Sequence, residues 1–256
     1  VNYKKTDMIR PIIAANWKMN KTVSEALDFV NRMKKLVLGV NDRQVVIAPP
    51  FPALYPVGAV LKDSGMGLAA QNLSGNKEGA YTGEISARML VDVGCTHVIV
   101  GHSERRILFG ESNEIVYAKI SMALQFRMRP IVCIGETLRD RETGKHFDVI
   151  ERQIKEGLNQ ITEHDISQLI IAYEPVWAIG TGKTATSEQA GEAHAFIRQL
   201  MEELYGKGPA SRLPLLYGGS VNPENIGKLM AQPDINGALV GGASLDVETF
   251  GKIVTF

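Results

Sequence analysis

Glu174 is the residue of this chain whose setting most needs a chemical explanation. The apolar run Leu169 to Tyr173 ends on this carboxylate, then passes at once into Pro175-Val176-Trp177 and the glycine-rich Gly180-Thr181-Gly182. Burying a carboxylate among apolar residues is costly. Either Glu174 is solvated at a rim or its desolvation has a use. With Pro175 stiffening the chain and Trp177 supplying an apolar body, the expectation is a partly desolvated carboxyl with a raised pKa, as a general base requires. His102 follows the run His97 to Gly101 and precedes Ser103-Glu104-Arg105-Arg106, which can open a helix. It is either a structural histidine or, because a helix N-terminus disfavours imidazolium, a neutral ring able to donate to a carbonyl and support an enediolate. Asn16 and Lys18 stand two residues apart, so in an extended segment their side chains point the same way. They are a turn-forming amide and a solvated lysine, or an amide donor and a cation aimed at an anionic, oxygen-rich substrate. Glu104 is a surface acid or the ion-pair partner that holds Lys18.

A second group is built of small residues. Ser220 follows the run Leu213 to Gly219, and Gly241-Gly242 close the run that begins at Gly237. Glycines there permit tight turns, or expose backbone N–H groups that hold a phosphate, with no Arg or Lys in either loop. The segment Gly180 to Thr184, "GTGKT", is not a nucleotide-binding P-loop, because that pattern requires glycine where Trp177 stands. Neither G-x-G-x-x-G after a strand nor H-E-x-x-H occurs, so no nicotinamide or zinc reading has a motif behind it, and neither a cofactor nor a metal is expected.

These residues need a frame. Eight short apolar runs without alternation begin at Ile12, Val45, Gly67, His97, Ile131, Leu169, Leu213 and Gly237. That is how strands covered on both faces read. Helical patterns lie between them. Val23, Ala26, Leu27, Val30 and Met33 follow a capping box at Thr22–Glu25; a second box at Thr186–Gln189 opens a helix through Phe196, Ile197 and Leu200; and Ile150, Ile154, Leu158 and Ile161 make a further stripe. Strand and helix alternating about eight times over this length predicts a single α/β domain, a parallel eight-stranded (β/α)8 barrel, ahead of a doubly wound open sheet. In a closed barrel the C-terminal strand ends share one face, where Asn16, Lys18, His102, Glu174, Ser220, Gly241 and Gly242 would converge.

The 256 residues carry 28 Lys and Arg against 28 Asp and Glu, so no overall basic field points to nucleic acid or an anionic membrane. No apolar run is long enough for a membrane span, and the N-terminus lacks the apolar run of a signal peptide. The two cysteines, Cys95 and Cys133, have neither metal-ligand nor disulfide spacing, and a reducing cytoplasm is the simplest location.

With these residues in hand, the chain resembles the triosephosphate isomerases from about Met8 to Phe256. The resemblance rests on "NWKMN" from Asn16, "VIVGHSERR" from Val98, "AYEPVWAIGTGKTA" from Ala172, "YGGSVNPEN" from Tyr217 and "GALVGGASL" from Gly237, with Gln71-Asn72 and "GAYTGEIS" from Gly79 in support. It implies interconversion of dihydroxyacetone phosphate and glyceraldehyde 3-phosphate without a cofactor. Glu174 is then the base, His102, Lys18 and Asn16 stabilise the enediolate, and Glu104 supports Lys18. Backbone at Gly180, Ser220, Gly241 and Gly242 holds the phosphate, and residues 178–182 form the tip of a lid. The resemblance also implies a homodimer in which the projecting loop around Thr82 reaches the neighbouring subunit's site. Residues 1–7 are expected to be an extension or a foreign remnant ahead of a barrel spanning 8–256. Ala15 stands where relatives often have glycine, a departure that a strand end tolerates. The rival readings are another phosphosugar isomerase or epimerase, and a silent phosphate-binding protein.

Overall fold

The computed structural model describes residues 9–178 and 185–256. Eight parallel strands close in sequence order into a barrel: β1 (Ile12–Asn16), β2 (Gln44–Ala48), β3 (Gly67–Ala70), β4 (His97–Val100), β5 (Arg129–Ile134), β6 (Ile170–Tyr173), β7 (Leu215–Tyr217) and β8 (Gly237–Val240). Closure is made by β1 and β8, with Ile12 level with Gly237 and Ala15 with Val240. The open doubly wound sheet is thereby excluded.

The buried apolar residues of the strands fall into two cores. Ile12, Ala14, Val46, Ala48, Ala69, Ile99, Ile131, Cys133, Ile170, Ala172, Leu216 and Leu239 fill the barrel interior. Their neighbours, such as Ile13, Ala15, Val45, Ile47, Val98 and Ile171, pack outward against the helices. The uninterrupted apolar runs are therefore alternation hidden by burial on both sides. The helices start where local chemistry directs. Thr22 and Thr186 both make full capping boxes, with Glu25 and Gln189 reaching back to the cap amides. The stripe from Ile150 is shorter than expected. Its helix, His146–Gly157, stops before Leu158 and Ile161, which are buried in the following turn instead.

Two histidines are locked neutral in this frame. The Nδ1 of His97 lies 2.8 Å from Thr96 Oγ1, and the Nδ1 of His194 lies 2.8 Å from the Ala190 carbonyl. Burial pushes each pKa from 6.5 down to about 4, with the charge of Arg129 adding to the shift at His97. Between those values the unfolded chain binds protons that the folded chain refuses. The stability they contribute is full above about pH 6.5 and is lost as pH falls toward about 4. His97→Gln is expected to flatten unfolding free energy against pH between about pH 5 and 6 by about 1.4 kcal/mol per pH unit, one proton's worth. Urea melts at several pH values read this slope; an unchanged slope would mean that His97 titrates normally in the folded chain.

Candidate active site

The two-residue parity of the interior set carries straight to the mouth. After Ile12 and Ala14 the next inward position on β1 is Asn16, after Ile170 and Ala172 it is Glu174, and after Leu239 it is Gly241. Asn16 is buried and Glu174 is only 2% exposed, so the carboxylate is not a rim residue. On β7 the corresponding position is Gly218. An ideal Cβ there would stand 2.9 Å from Glu174 Cγ, so the glycine makes the room that the glutamate occupies.

His102 arrives differently. β4 ends at Val100, and Gly101, at φ +68°, turns the chain so that His102 caps the helix Ser103–Phe109. The Glu104 amide donates to His102 Nδ1 at 3.2 Å. The ring proton therefore sits on Nε2, 2.9 Å from Glu174 Oε1. The Ser103 amide donates to Glu174 Oε2 at 2.9 Å, and the Ser103 hydroxyl lies 3.3 Å from Oε1. Ser103 is a site residue that motif and spacing do not single out; its place directly after His102 is the only signal in the chain.

These donors reverse the expected pKa. Burial alone would raise the Glu174 carboxyl, but the charge and hydrogen bond of His102, the Ser103 amide and Lys18 together hold it below the ordinary carboxylate value. For His102, burial is the largest influence and acts downward. The charge and hydrogen bond of Glu174, with Glu104, outweigh it and lift the imidazole while the two groups touch. The amide at Nδ1 is independent of that contact and favours the neutral ring.

Lys18 does not lie in an extended segment, contrary to the sequence expectation. Its φ is +52°, a left-handed conformation that costs a non-glycine residue on the order of 1–3 kcal/mol. Three contacts hold it. Its amide donates to Asn16 Oδ1 at 3.0 Å, its carbonyl accepts from Gln71 Nε2 at 2.9 Å, and its Nζ pairs with Glu104 Oε1 at 2.6 Å. Asn16 thus serves the turn with one atom and faces the cavity besides. The Trp177 indole N–H donates to the buried Glu136 at 2.8 Å, a carboxylate that also accepts from Tyr173 and Arg141.

Asn16, Lys18, His102, Glu104 and Glu174 border one cavity of about 800 Å³, and Ser220, Gly241 and Gly242 border it too. That is a volume for a small organic ligand. Gly242–Ser244 form a 3-10 turn in which the Ser244 amide and hydroxyl both donate to the Gly241 carbonyl, at 2.8 and 2.7 Å. The carbonyl is thereby occupied, which leaves N–H groups as the polar backbone on offer. Gly180 and the lid tip fall partly or wholly on residues 179–184, and the extension on residues 1–7; these lie outside the described residues. The described residues contain no cluster of three or more His, Cys, Asp or Glu suited to a metal ion, and none of their helices is long and apolar enough to cross a membrane. Thr82 lies on an exposed loop whose base is closed by the Ser74 amide donating to the Ile85 carbonyl at 2.8 Å.

Comparison with known proteins gives one answer. The triosephosphate isomerase family model matches residues 11–256. The triosephosphate isomerase of Endomicrobium trichonymphae is 52% identical over 249 residues, covering 97% of this chain and 99% of that protein. The enzyme of that name from Aquifex aeolicus is 52% identical over 246 residues, covering 96% and 99%. The crystal structure of triosephosphate isomerase from Bartonella henselae superposes with a TM-score of 0.86 at 40% identity, covering 96% of this chain and 98% of that one.

The geometry around Glu174 yields a direct test. His102→Gln removes the charge that most lowers the Glu174 carboxyl while burial remains. Its pKa is expected to rise above the wild-type value in a 13C NMR titration of the carboxyl carbon. A carboxyl that titrates as in the wild type would show that the Ser103 amide and Lys18 hold it ionised without the imidazole.

Proposed function

The chain belongs to the triosephosphate isomerase family and interconverts dihydroxyacetone phosphate and glyceraldehyde 3-phosphate; we propose that Glu174 is the base that moves the proton between the two carbons. The observation that carries this reading is the meeting of a desolvated carboxylate, an Nε2–H donor and the Lys18 ammonium on one cavity whose rim also includes Ser220, Gly241 and Gly242. The substrate's carbonyl acidifies the neighbouring C–H, so the chemistry asks for a base and oxyanion donors and for no cofactor. Glu174 takes the proton from one carbon and returns it to the other. His102 Nε2–H and the Asn16 amide donate to the two oxygens, and Lys18, steadied by Glu104, offsets the negative charge of the enediolate. A single Nε2–H cannot serve both Glu174 and a substrate oxygen. The carboxylate therefore exchanges His102 and Ser103 for the substrate C–H as the reaction begins. Backbone N–H groups at Ser220, Gly241 and Gly242 receive the phosphate, and Gly180 contributes from the segment after β6. A glutamate base paired with a neutral histidine is the familiar pattern of tuned acid–base chemistry in this enzyme family, and the residues of this chain fit it.

The working form is a homodimer. Met19, directly after Lys18, is 95% exposed, and Tyr81, beside Thr82, is 48% exposed. Apolar residues left open next to a catalytic lysine and on a projecting loop favour burial against a second copy, with Thr82 reaching the partner's Asn16 and Lys18. The enzyme works in the reducing cytoplasm as part of glycolysis and gluconeogenesis, a setting consistent with two buried, unpaired cysteines.

Glu174→Asp draws the carboxylate back by one methylene. Turnover is expected to fall on the order of 100-fold or more with KM changed little, since a displacement of about 1 Å costs that much. A coupled assay in both directions measures it, and unimpaired turnover would remove Glu174 from the mechanism. Shortening the loop around Thr82 is expected to give monomers in sedimentation whose turnover is at least about tenfold lower; fully active monomers would separate assembly from catalysis.

A further inference from the structure

Strand β5 outlasts its neighbour β4. β4 leaves through Gly101 after Val100, but β5 continues beside the exit of β6. The Glu174 amide donates to the Ile134 carbonyl at 2.7 Å, and the Val176 amide to the Glu136 carbonyl at 3.1 Å. In a parallel ladder the residue between, Gly135, turns its N–H and C=O to the other side, where β4 no longer runs. Gln153, from the helix His146–Gly157, takes both groups. The Gly135 amide donates to Gln153 Oε1 at 2.8 Å, and Gln153 Nε2 donates to the Gly135 carbonyl at 3.1 Å. One side chain does there what a strand would do.

This matters for Glu174 because the two peptides touch. An ideal Cβ on Gly135 would fall 1.7 Å from the Glu174 carbonyl oxygen, so the backbone at 135 cannot move without moving the backbone at 174. Behind Glu174 lies a second cavity of about 210 Å³, bordered by Ser103, Arg106, Cys133, Gly135, Gln153 and Glu174. The glutamate is a partition between two spaces, and packing alone does not fix it from the rear. Arg106 braces part of the gap, donating to the Gly101 carbonyl at 2.8 Å and the Cys133 carbonyl at 3.3 Å. Gln153 braces the part that abuts Glu174.

The geometry points to Gln153 as a positioning residue for the proton transfer. Through Gly135 it fixes the backbone from which the Glu174 carboxylate reaches the substrate. This inference rests on Glu174 being the base. Helix-to-strand adhesion alone would lower stability and leave the chemical step intact.

Two variants separate these roles. Gln153→Met keeps the length and removes both hydrogen bonds. Gln153→Glu keeps an acceptor for the Gly135 amide, but as a carboxylate it repels the Gly135 carbonyl, and on protonation it regains the donor. Gln153→Met is expected to lower kcat by about 10- to 100-fold with KM within about threefold of wild type. Gln153→Glu is expected to show a kcat deficit that shrinks, relative to wild type, as pH falls from about 8 to about 6, because burial, the Gly135 carbonyl and the Glu174 and Asp140 carboxylates on the same cavity raise the new carboxyl against the Arg106 and Arg152 guanidiniums, which lower it. Wild-type kcat in both variants overturns the inference, as does a loss confined to KM or a Gln153→Glu deficit that ignores pH. If Gln153→Met does not fold, the pH dependence of Gln153→Glu decides alone. Glu174→Gln, measured alongside, keeps the two readings apart. If it retains turnover, the base assignment fails; if it is inactive while both Gln153 variants turn over normally, only the role of Gln153 fails.

Discussion

An ionised carboxylate almost removed from water is the constraint around which the mouth of this barrel is built. Such a group is tolerated only where donors replace its hydration, since the desolvation cost amounts to several kcal/mol. Glu174 has those donors because β4 stops early. The turn at Gly101 sends the chain into a helix whose cap is His102 and whose first amide, at Ser103, meets the carboxylate. One turn therefore supplies the imidazole, fixes its tautomer through the Glu104 amide, and keeps the carboxylate ionised.

The early stop has a structural consequence on the other side. β5 loses its neighbour just where it must support β6, and side chains from helices, Arg106 and Gln153, stand in for the missing strand. Close backbone approach replaces side-chain packing at two points around Glu174. Gly135 lies against its carbonyl and Gly218 against its Cγ. The same economy of space appears at Lys18, whose left-handed backbone is held by Asn16, Gln71 and Glu104 together. Strain there is stable because three separate elements of the barrel end hold it.

His102 and Glu174 illustrate why neither pKa belongs to one residue. Each raises or lowers the other while they touch, so protonation and position change together when the carboxylate turns to another partner. The amide at His102 Nδ1 is the part of the arrangement that survives such a change. It makes the neutral donor ring a property of the helix start and independent of the carboxylate.

Much of this was legible in the chain itself. Buried strands announce themselves as short apolar runs, capping boxes at Thr22 and Thr186 are local chemistry, and eight alternations at this length leave few architectures. Polar and glycine residues directly after those runs identify Asn16, Lys18, His102, Glu174, Ser220, Gly241 and Gly242, because in a closed parallel barrel every such position shares one face. What the sequence could not give was anything that depends on contact between distant segments. The lowered Glu174 pKa depends on His102 and on the Ser103 amide, which stand some seventy positions away, and the Trp177 indole found a partner in the distant Glu136. Lys18 took a conformation that Asn16 makes tenable only together with the distant Gln71 and Glu104. Gln153 carries no local signal at all: on its helix it reads as one more polar residue, and its partner at Gly135 exists only once β4 has turned away. Periodicity and caps act over a few residues and so are written in order along the chain. Charge balance and backbone support act through space, and only the closed barrel decides which groups are neighbours.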